Sequence, residues 1–351
     1  MTMNIWLMEG LSSQRDIIQG ISALAKTSQQ PISVFASHRH QRNEILSQAD
    51  FALIEPAEDE QRLAFILSQV RQHGIRTIHT GRNARWFESH RDEIEASGAS
   101  LTTGATRVAM LDLADDKVRF AQAMEQHGLP VVPSVRVDST AQLRQMLRDS
   151  PFGEVPLCVK PVTGIYGMGF WRFDESASPM AAFTHPDSRR VHPHFYLQAL
   201  DAADRVEPLV LMPWLPGPEY SVDMLVEKGT VLAAVARRKE GALQHLENSG
   251  EAWELARACA QAMEADGLVN VQTRHDASGR PLLLEINMRP SGGIGYTRLS
   301  GVNLPGLFAM RRLGLITAQQ VQDSADRDFS PATVRSITDV VQHQPLTNLI
   351  P

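Results

Sequence analysis

At 351 residues, with 43% hydrophobic and 21% charged side chains, the chain is long enough for two or three domains and has the composition of a soluble globular protein. A formal net charge of -6 offers no general attraction to nucleic acid or anionic membrane, and no segment approaches the ~20 apolar residues of a membrane span. Cys158 and Cys259 lack metal-type spacing and the apolar run in MTMNIWLMEG is too short for a signal peptide, so a reducing, cytoplasmic compartment is expected.

Residues 4 to about 105 alternate strand and helix patterns. NIWLM is a short apolar strand, and SSQRDIIQGISALAK follows with apolar residues at helical spacing. PISVFAS and DFALIEP read as strands, LAFILSQVRQHG as a helix closing on Gly74, and RTIHTG as a further strand. Strands separated by helices predict a parallel sheet, which takes ligands beyond its carboxyl ends. Those ends carry Glu9-Gly10, Ser37-His38-Arg39 and Thr80-Gly81-Arg82, readable as ligand groups or as polar loop tips. No GxGxxG follows the first strand, which argues against a dinucleotide site.

From about 106 the texture changes. LADDKVRFAQAMEQHGLPVVPSV predicts a helix capped by Asp115 and Asp116 and stopped at Gly128 before Pro130. Lys117 then sits in the first turn, where it opposes the helix dipole unless an anion shares the site; a solvated lysine is the other reading. VPLCVKPVTGIYGMGFWRF predicts two strands around a glycine-rich connection with Gly164, Gly167 and Gly169, whose backbone can approach a phosphate closely. It is not a Walker A loop, since no GK[ST] closes it. Lys160 ends an apolar strand, where a buried ammonium needs an anionic partner.

LVLMPWLPGPEYSVDMLV reads as two strands around a Pro/Gly turn with Glu219 beyond it. GLVNVQTRHDASGRPLLLEINMRP reads as a hairpin turning at DASG, with Gln272 on its first strand. Alternation on the second strand puts Glu285, Asn287 and Arg289 on one face. NLPGLFAMRRLGL is a helix with Pro305 near its start, DRDFSP a polar linker, and the last twenty residues carry no clear pattern.

A lysine at a helix start, a lysine ahead of a glycine hairpin, a strand-turn-Glu, then Gln on one strand and Glu-x-Asn-x-Arg on the next: in this order the segments resemble the ATP-grasp superfamily. The closest texture is that of the carbamoyl-phosphate synthetase large chain and short carboxylate–amine ligases. The resemblance implies an α/β architecture, with a Rossmann-like pre-ATP-grasp domain at 1–105 and an ATP-grasp fold of two α+β subdomains gripping ATP at 106–320. It places a flap subdomain at about 150–214 and leaves 321–351 as a C-terminal extension.

It further implies that Lys117 and Lys160 contact ATP phosphates and that Gly164, Gly167 and Gly169 form the flap. Met212, Pro213 and Leu215 would follow the adenine, and Glu219 would accept from the ribose. Gln272, Glu285 and Asn287 would hold two Mg²⁺ ions, Mn²⁺ being a substitute, and Arg289 would stabilise the transferred phosphoryl group. Relatives often carry an acidic residue at the hinge; Met212-Pro213 departs from that and weakens the case for adenine selectivity.

The implied activity joins a small carboxylate to an amine with release of ADP and phosphate; an ATP-binding regulatory module is the alternative. For the substrates, Arg237, Arg238 and Lys239 suit a carboxylate or else form a solvated basic loop, and His245 is read as a loop histidine near the same space. Tyr166 would close over the acceptor, and Ser291, Gly292 and Gly293 would let substrate approach the backbone. Cys158 is expected to pack beside Lys160 without a catalytic role. The expected partners are small molecules, with neither nucleic acid nor membrane, and a homodimer is in keeping with many relatives.

Overall fold

Strand β1 (Met3–Leu7) alternates its side chains between two apolar cores, and this places it at the centre of its sheet. Ile5 and Leu7 join one core with Ile17, Ile18 and Ile21 of the helix Gln14–Thr27, whereas Trp6 packs into the other with Phe35, Leu53 and Ile66. In this computed structural model, which describes residues 2–10, 13–164 and 167–350, β1 is flanked by β2 (Ile32–His38), β3 (Phe51–Ile54), β4 (Ile75–His79) and β5 (Ser100–Thr102). The order is β3-β2-β1-β4-β5, with every pairing parallel. The predicted parallel sheet is present, β5 being an additional short strand.

A second sheet contains β6 (Val135–Val137), β7 (Leu157–Pro161), β8 (Trp171–Phe173), β9 (Arg190–Val191) and β10 (Leu209–Pro213), in the order β6-β10-β7-β8-β9. On β10, Leu209 and Leu211 enter one core with Leu143 and Val159, while Val210 and Met212 enter another with Val118 and Cys158. The antiparallel register sets Lys160 opposite Val210 and Cys158 opposite Met212. Strands β7 and β8 are the predicted pair around the glycine-rich connection.

The third sheet runs β15-β14-β11-β12-β13-β16. Its strands are β11 (Glu219–Glu227), β12 (Thr230–Glu240), β13 (Leu243–Glu247), β14 (Gly267–His275), β15 (Pro281–Asn287) and β16 (Ala332–Arg335). Although β10 and β11 flank one Pro/Gly turn, they belong to different sheets.

The chain divides into two compact units. One comprises Met1–Leu111, Glu219–Gln272 and Ile286–Pro351; the other Asp112–Pro218 and Thr273–Glu285. In the first, Ile5 and Leu7 share a core with Leu225, Val235 and Phe308.

Three local expectations change. Asp115 ends the helix Val108–Asp115, so Asp116 alone caps the helix Lys117–Gln126, accepting from the N–H groups of Val118 and Arg119 at 3.0 Å each. The first half of DRDFSP is the last turn of the helix Ala318–Asp328, not a linker. The final segment also contains β16, which pairs antiparallel with β13.

Candidate functional site

In the unit containing residues 112–218 and 273–285, two lysines meet one carboxylate. Lys160 Nζ, on β7, donates to Glu285 Oε2 at 3.3 Å, and Lys117 Nζ lies 3.9 Å from the same oxygen. Lys117 also donates to the carbonyls of Val162 and Gly164, at 3.2 and 3.3 Å, so it grips the start of the glycine-rich connection. Burial pulls the Lys117 ammonium below the ordinary lysine range; Glu285 opposes that shift and Lys160 adds to it. A lysine drawn from water at a helix start has the environment of an anion site rather than of a solvated side chain.

The connection itself requires glycine. Gly167 and Gly169 have φ of +64° and +73°, and a Cβ on Gly169 would come within 2.8 Å of the Pro161 ring. Tyr166, expected at the tip, lies outside the described residues.

Further along, Met212 and Leu215 are buried, and the Cys158 thiol lies 3.7 Å from the carbonyls of both Met212 and Pro213. Burial pushes that thiol up to about 12, consistent with packing rather than nucleophilic chemistry. Arg274 Nε donates to the Leu215 carbonyl at 2.8 Å, and the Arg172 guanidinium covers the Trp214 ring at 3.7 Å. The 212–215 segment is thus clamped from several directions.

In the other unit, Glu219 opens β11 and is ion-paired with Lys239 of β12, opposite it in register. Gln272 lies on β14, half-buried. Strand β15 ends at Asn287, so Arg289 stands in the bend beyond it; the burial alternation nevertheless persists, with Ile286 and Met288 buried and Asn287 and Arg289 half-buried. Only the first two members of the expected Glu-x-Asn-x-Arg face are therefore on the strand.

Arg237 departs from both of its expected readings, being neither an open carboxylate binder nor part of a solvated loop. It is 4% exposed, and its three nitrogens donate to Asp223 Oδ2, Gln244 Oε1, Ser221 Oγ and Ser291 Oγ at 2.7–2.8 Å. Asn270 Nδ2 completes the cluster by donating to Ser221 Oγ and Asp223 Oδ1, both at 3.0 Å. A Cβ on Gly293 would come within 2.5 Å of the Arg237 guanidinium, so the Ser291-Gly292-Gly293 backbone is moulded onto this arginine.

Arg238 pairs with Glu247 at 2.8 Å and Glu240 at 3.2 Å. His245 is on β13, not in a loop, and its two ring nitrogens contact Thr333 Oγ1 at 3.0 Å and Glu240 Oε2 at 2.9 Å. Among the described residues, no group of three or more His, Cys, Asp or Glu is arranged to hold a metal, and no helix is long and apolar enough to cross a membrane.

Comparison with known proteins gives these features a frame. Residues 205–340 match the family described as ATP-grasp in the biosynthetic pathway with Ter operon. The carbamoyl phosphate synthase large chain of Clostridium beijerinckii is 22% identical over 237 residues, covering 61% of this chain and 20% of that protein. The aligned region thus spans about a fifth of that curated relative's length. N5-carboxyaminoimidazole synthetase from Staphylococcus aureus, solved with ADP, superposes with a TM-score of 0.64 at 12% identity, covering 91% of this chain and 80% of that one. The L-amino acid ligase from Bacillus licheniformis gives 0.60 at 15% identity, with coverage of 89% and 74%.

The chain has the ATP-grasp fold. Within it, the Lys117–Lys160–Glu285 cluster joins three positions that sequence order had suggested separately. Several features of the structure were not anticipated: Asp223 and Asn270 around Arg237, Lys239 on Glu219, and Arg274 at the Leu215 carbonyl. The pattern EYSVD, with Ser221 and Asp223 two apart on β11, placed both on one strand face, but nothing local pointed to their shared arginine on β12.

Proposed function

We propose that this chain is an ATP-dependent, ADP-forming ligase that activates a small carboxylate as an acyl phosphate and joins it to an amine. The meeting of Lys117 and Lys160 on Glu285, beside a glycine-rich connection, carries the reading. Two ammonium groups converge on one carboxylate in a partly buried setting, with Asp115 and Asp116 acting on Lys117 from farther off, and a triphosphate brings the negative charge such a pair attracts.

In this reading Lys117 and Lys160 bind ATP phosphates, and the backbone at Gly164, Gly167 and Gly169 folds over them. Met212, Pro213 and Leu215 follow the adenine, and Glu219, held by Lys239, accepts from the ribose hydroxyls. Gln272, Glu285 and Asn287 offer one carboxylate and two amide oxygens, a hard-oxygen set that would hold Mg²⁺. When bound, Mg²⁺ neutralises phosphate charge. Arg289 steadies the transferred phosphoryl group, and Arg237 fixes the backbone that follows it.

The substrate carboxylate oxygen attacks the γ-phosphorus, the bond to the β–γ bridging oxygen breaks, and ADP leaves with that electron pair. The amine nitrogen then attacks the acyl carbon, phosphate departs with the C–O bonding pair, and the nitrogen gives up a proton. Phosphoryl transfer depends mainly on positioning and charge stabilisation, which is what these residues provide. The protein is expected to work on small molecules in a reducing compartment.

The test is ADP release with Mg-ATP and pooled small carboxylates, using hydroxylamine as a trapping amine. Carboxylate-dependent ADP together with a hydroxamate is expected. Mg-ATP binding with no ADP across a broad carboxylate library would replace this reading with a regulatory nucleotide sensor.

A further inference from the structure

The carboxyl edge of the parallel sheet carries a charged cluster outside the ATP chemistry. Glu9, just beyond β1, is 4% exposed, and its carboxylate accepts from Arg39 Nε at 2.5 Å and Arg82 Nη1 at 3.2 Å. Both arginines follow strands, β2 and β4. The Glu9 backbone N–H donates to Glu55 Oε1 at 2.7 Å, and Ser37 Oγ donates to the same oxygen at 2.7 Å. Beneath Glu55 lies Arg62, 1% exposed, its Nε 3.9 Å from Glu55 Oε2 and its Nη1 3.0 Å from Asp59 Oδ1. The three Arg62 nitrogens lack a well-aligned hydrogen bond, so this guanidinium acts chiefly as a buried counter-charge.

From inside outward the groups run Arg62, Glu55, Glu9, then Arg39 and Arg82, two neighbouring acids held between arginines. At the outer end the positive charge comes from two guanidinium groups that share the Glu9 carboxylate, with Glu55 and Asp59 acting on Arg39 from farther off. His38, 3.8 Å from Glu9, adds little to it, because burial lowers its proton affinity against the pull of Glu9. Arg39 gives Nε to Glu9 and Arg82 gives Nη1, so each fork retains further N–H donors on side chains 27% and 47% exposed. The loops are also closely apposed: a Cβ on Gly81 would fall 2.2 Å from Gly10 Cα and 2.4 Å from the Glu9 carbonyl oxygen.

Gly10 and Gly81, the chain neighbours of Glu9 and Arg82, line a small cavity together with Arg289 and Pro290. The arginine pair therefore belongs to the same side of this unit as the arginine assigned to the phosphoryl group.

We propose that Arg39 and Arg82, held by Glu9, form an anion subsite for the non-reacting end of the substrate. The substrate then carries a second anionic group, a carboxylate or a phosphate, besides the carboxylate that is activated. The identification of the anion as part of a substrate rests on the ligase reading; the anion site itself does not.

The test is titration of the full-length protein, with Mg-ADP saturating the nucleotide site, against malonate, succinate and inorganic phosphate at constant ionic strength, followed by calorimetry. Saturable binding of at least one probe is expected, weakened about tenfold or more in both Arg39→Ala and Arg82→Ala. The dicarboxylate and phosphate arms distinguish the two anion chemistries. No saturable binding by any probe, or unchanged affinity in either variant, overturns the subsite. Arg82 is half exposed, so its truncation leaves the fold intact. A protein that binds these anions yet never releases ADP with any carboxylate would remove the ligase reading while leaving the subsite standing.

Discussion

Two clusters of charge in this molecule are built on opposite principles. Around Arg237, the guanidinium and Asp223 are buried, and each finds its partners within the protein. Around Glu285, two lysines face one carboxylate, Lys117 buried and Lys160 and Glu285 only partly withdrawn from water. The first cluster is balanced and closed, which suits a framework; the second gathers two ammonium groups on one carboxylate beside a glycine-rich connection, which suits a ligand that brings negative charge. The difference shows why burial and charge balance need to be read together. A basic residue near a site is not thereby a ligand group.

The largest effect should come from the open cluster. Glu285→Ala removes the proposed metal ligand, and carboxylate-dependent ADP release should fall on the order of 10³-fold or more. Near-normal turnover would break the assignment of this cluster to phosphoryl chemistry. In the closed cluster, Arg237→Met leaves Asp223 buried without its ion-pair partner and should cost about 3–5 kcal/mol in urea unfolding. Pairing it with Asp223→Leu should recover part of that loss; a single variant as stable as wild type would mean the cluster is not the framework described.

The closed unit also holds His79, fully buried with neither ring nitrogen hydrogen-bonded and with its pKa pulled down to about 4 by burial, reinforced by Arg312. The unfolded chain takes up this proton near pH 6.5 and the folded protein only near 4, so the contribution is intact above 6.5 and is lost as pH falls towards 4. Melting curves at pH 7 and pH 4.5 should show a steeper loss in wild type than in His79→Leu, the full window being worth roughly 3 kcal/mol. Parallel slopes would show that His79 is not kept neutral. Lys160→Met should weaken Mg-ATP binding about 10²-fold with little change in melting temperature. A large drop in stability with unchanged ATP affinity would make the open cluster another framework.

Much of this was legible in residues that repeat a local rule. The alternation of LLLEIN placed Glu285 and Asn287 together, and the apolar strands of the first hundred residues predicted the parallel sheet. The helix Ala318–Asp328 went unread, although Thr317 and Gln320 at its start form a reciprocal capping box. Arg237 was opaque because ARRKE has the texture of a solvated strand end. Its burial depends on Asp223, 14 residues earlier, and Ser291, 54 later, and no local window contains both. Strand β5, three residues long, was too short for its period to show.

The final residues of the chain lie along the outermost strand of the first sheet. The Ala52 N–H donates to the Asn348 carbonyl and the Ile350 N–H to the Ala52 carbonyl, both at 2.9 Å, while Asn348 Nδ2 reaches the carbonyls of Leu46 and Ala49. Strand β3 would otherwise present open backbone groups, a template on which another chain could align and begin to aggregate. The segment farthest along the sequence thus acts as a selvedge for one of the earliest strands, stitched to it across some three hundred positions of chain.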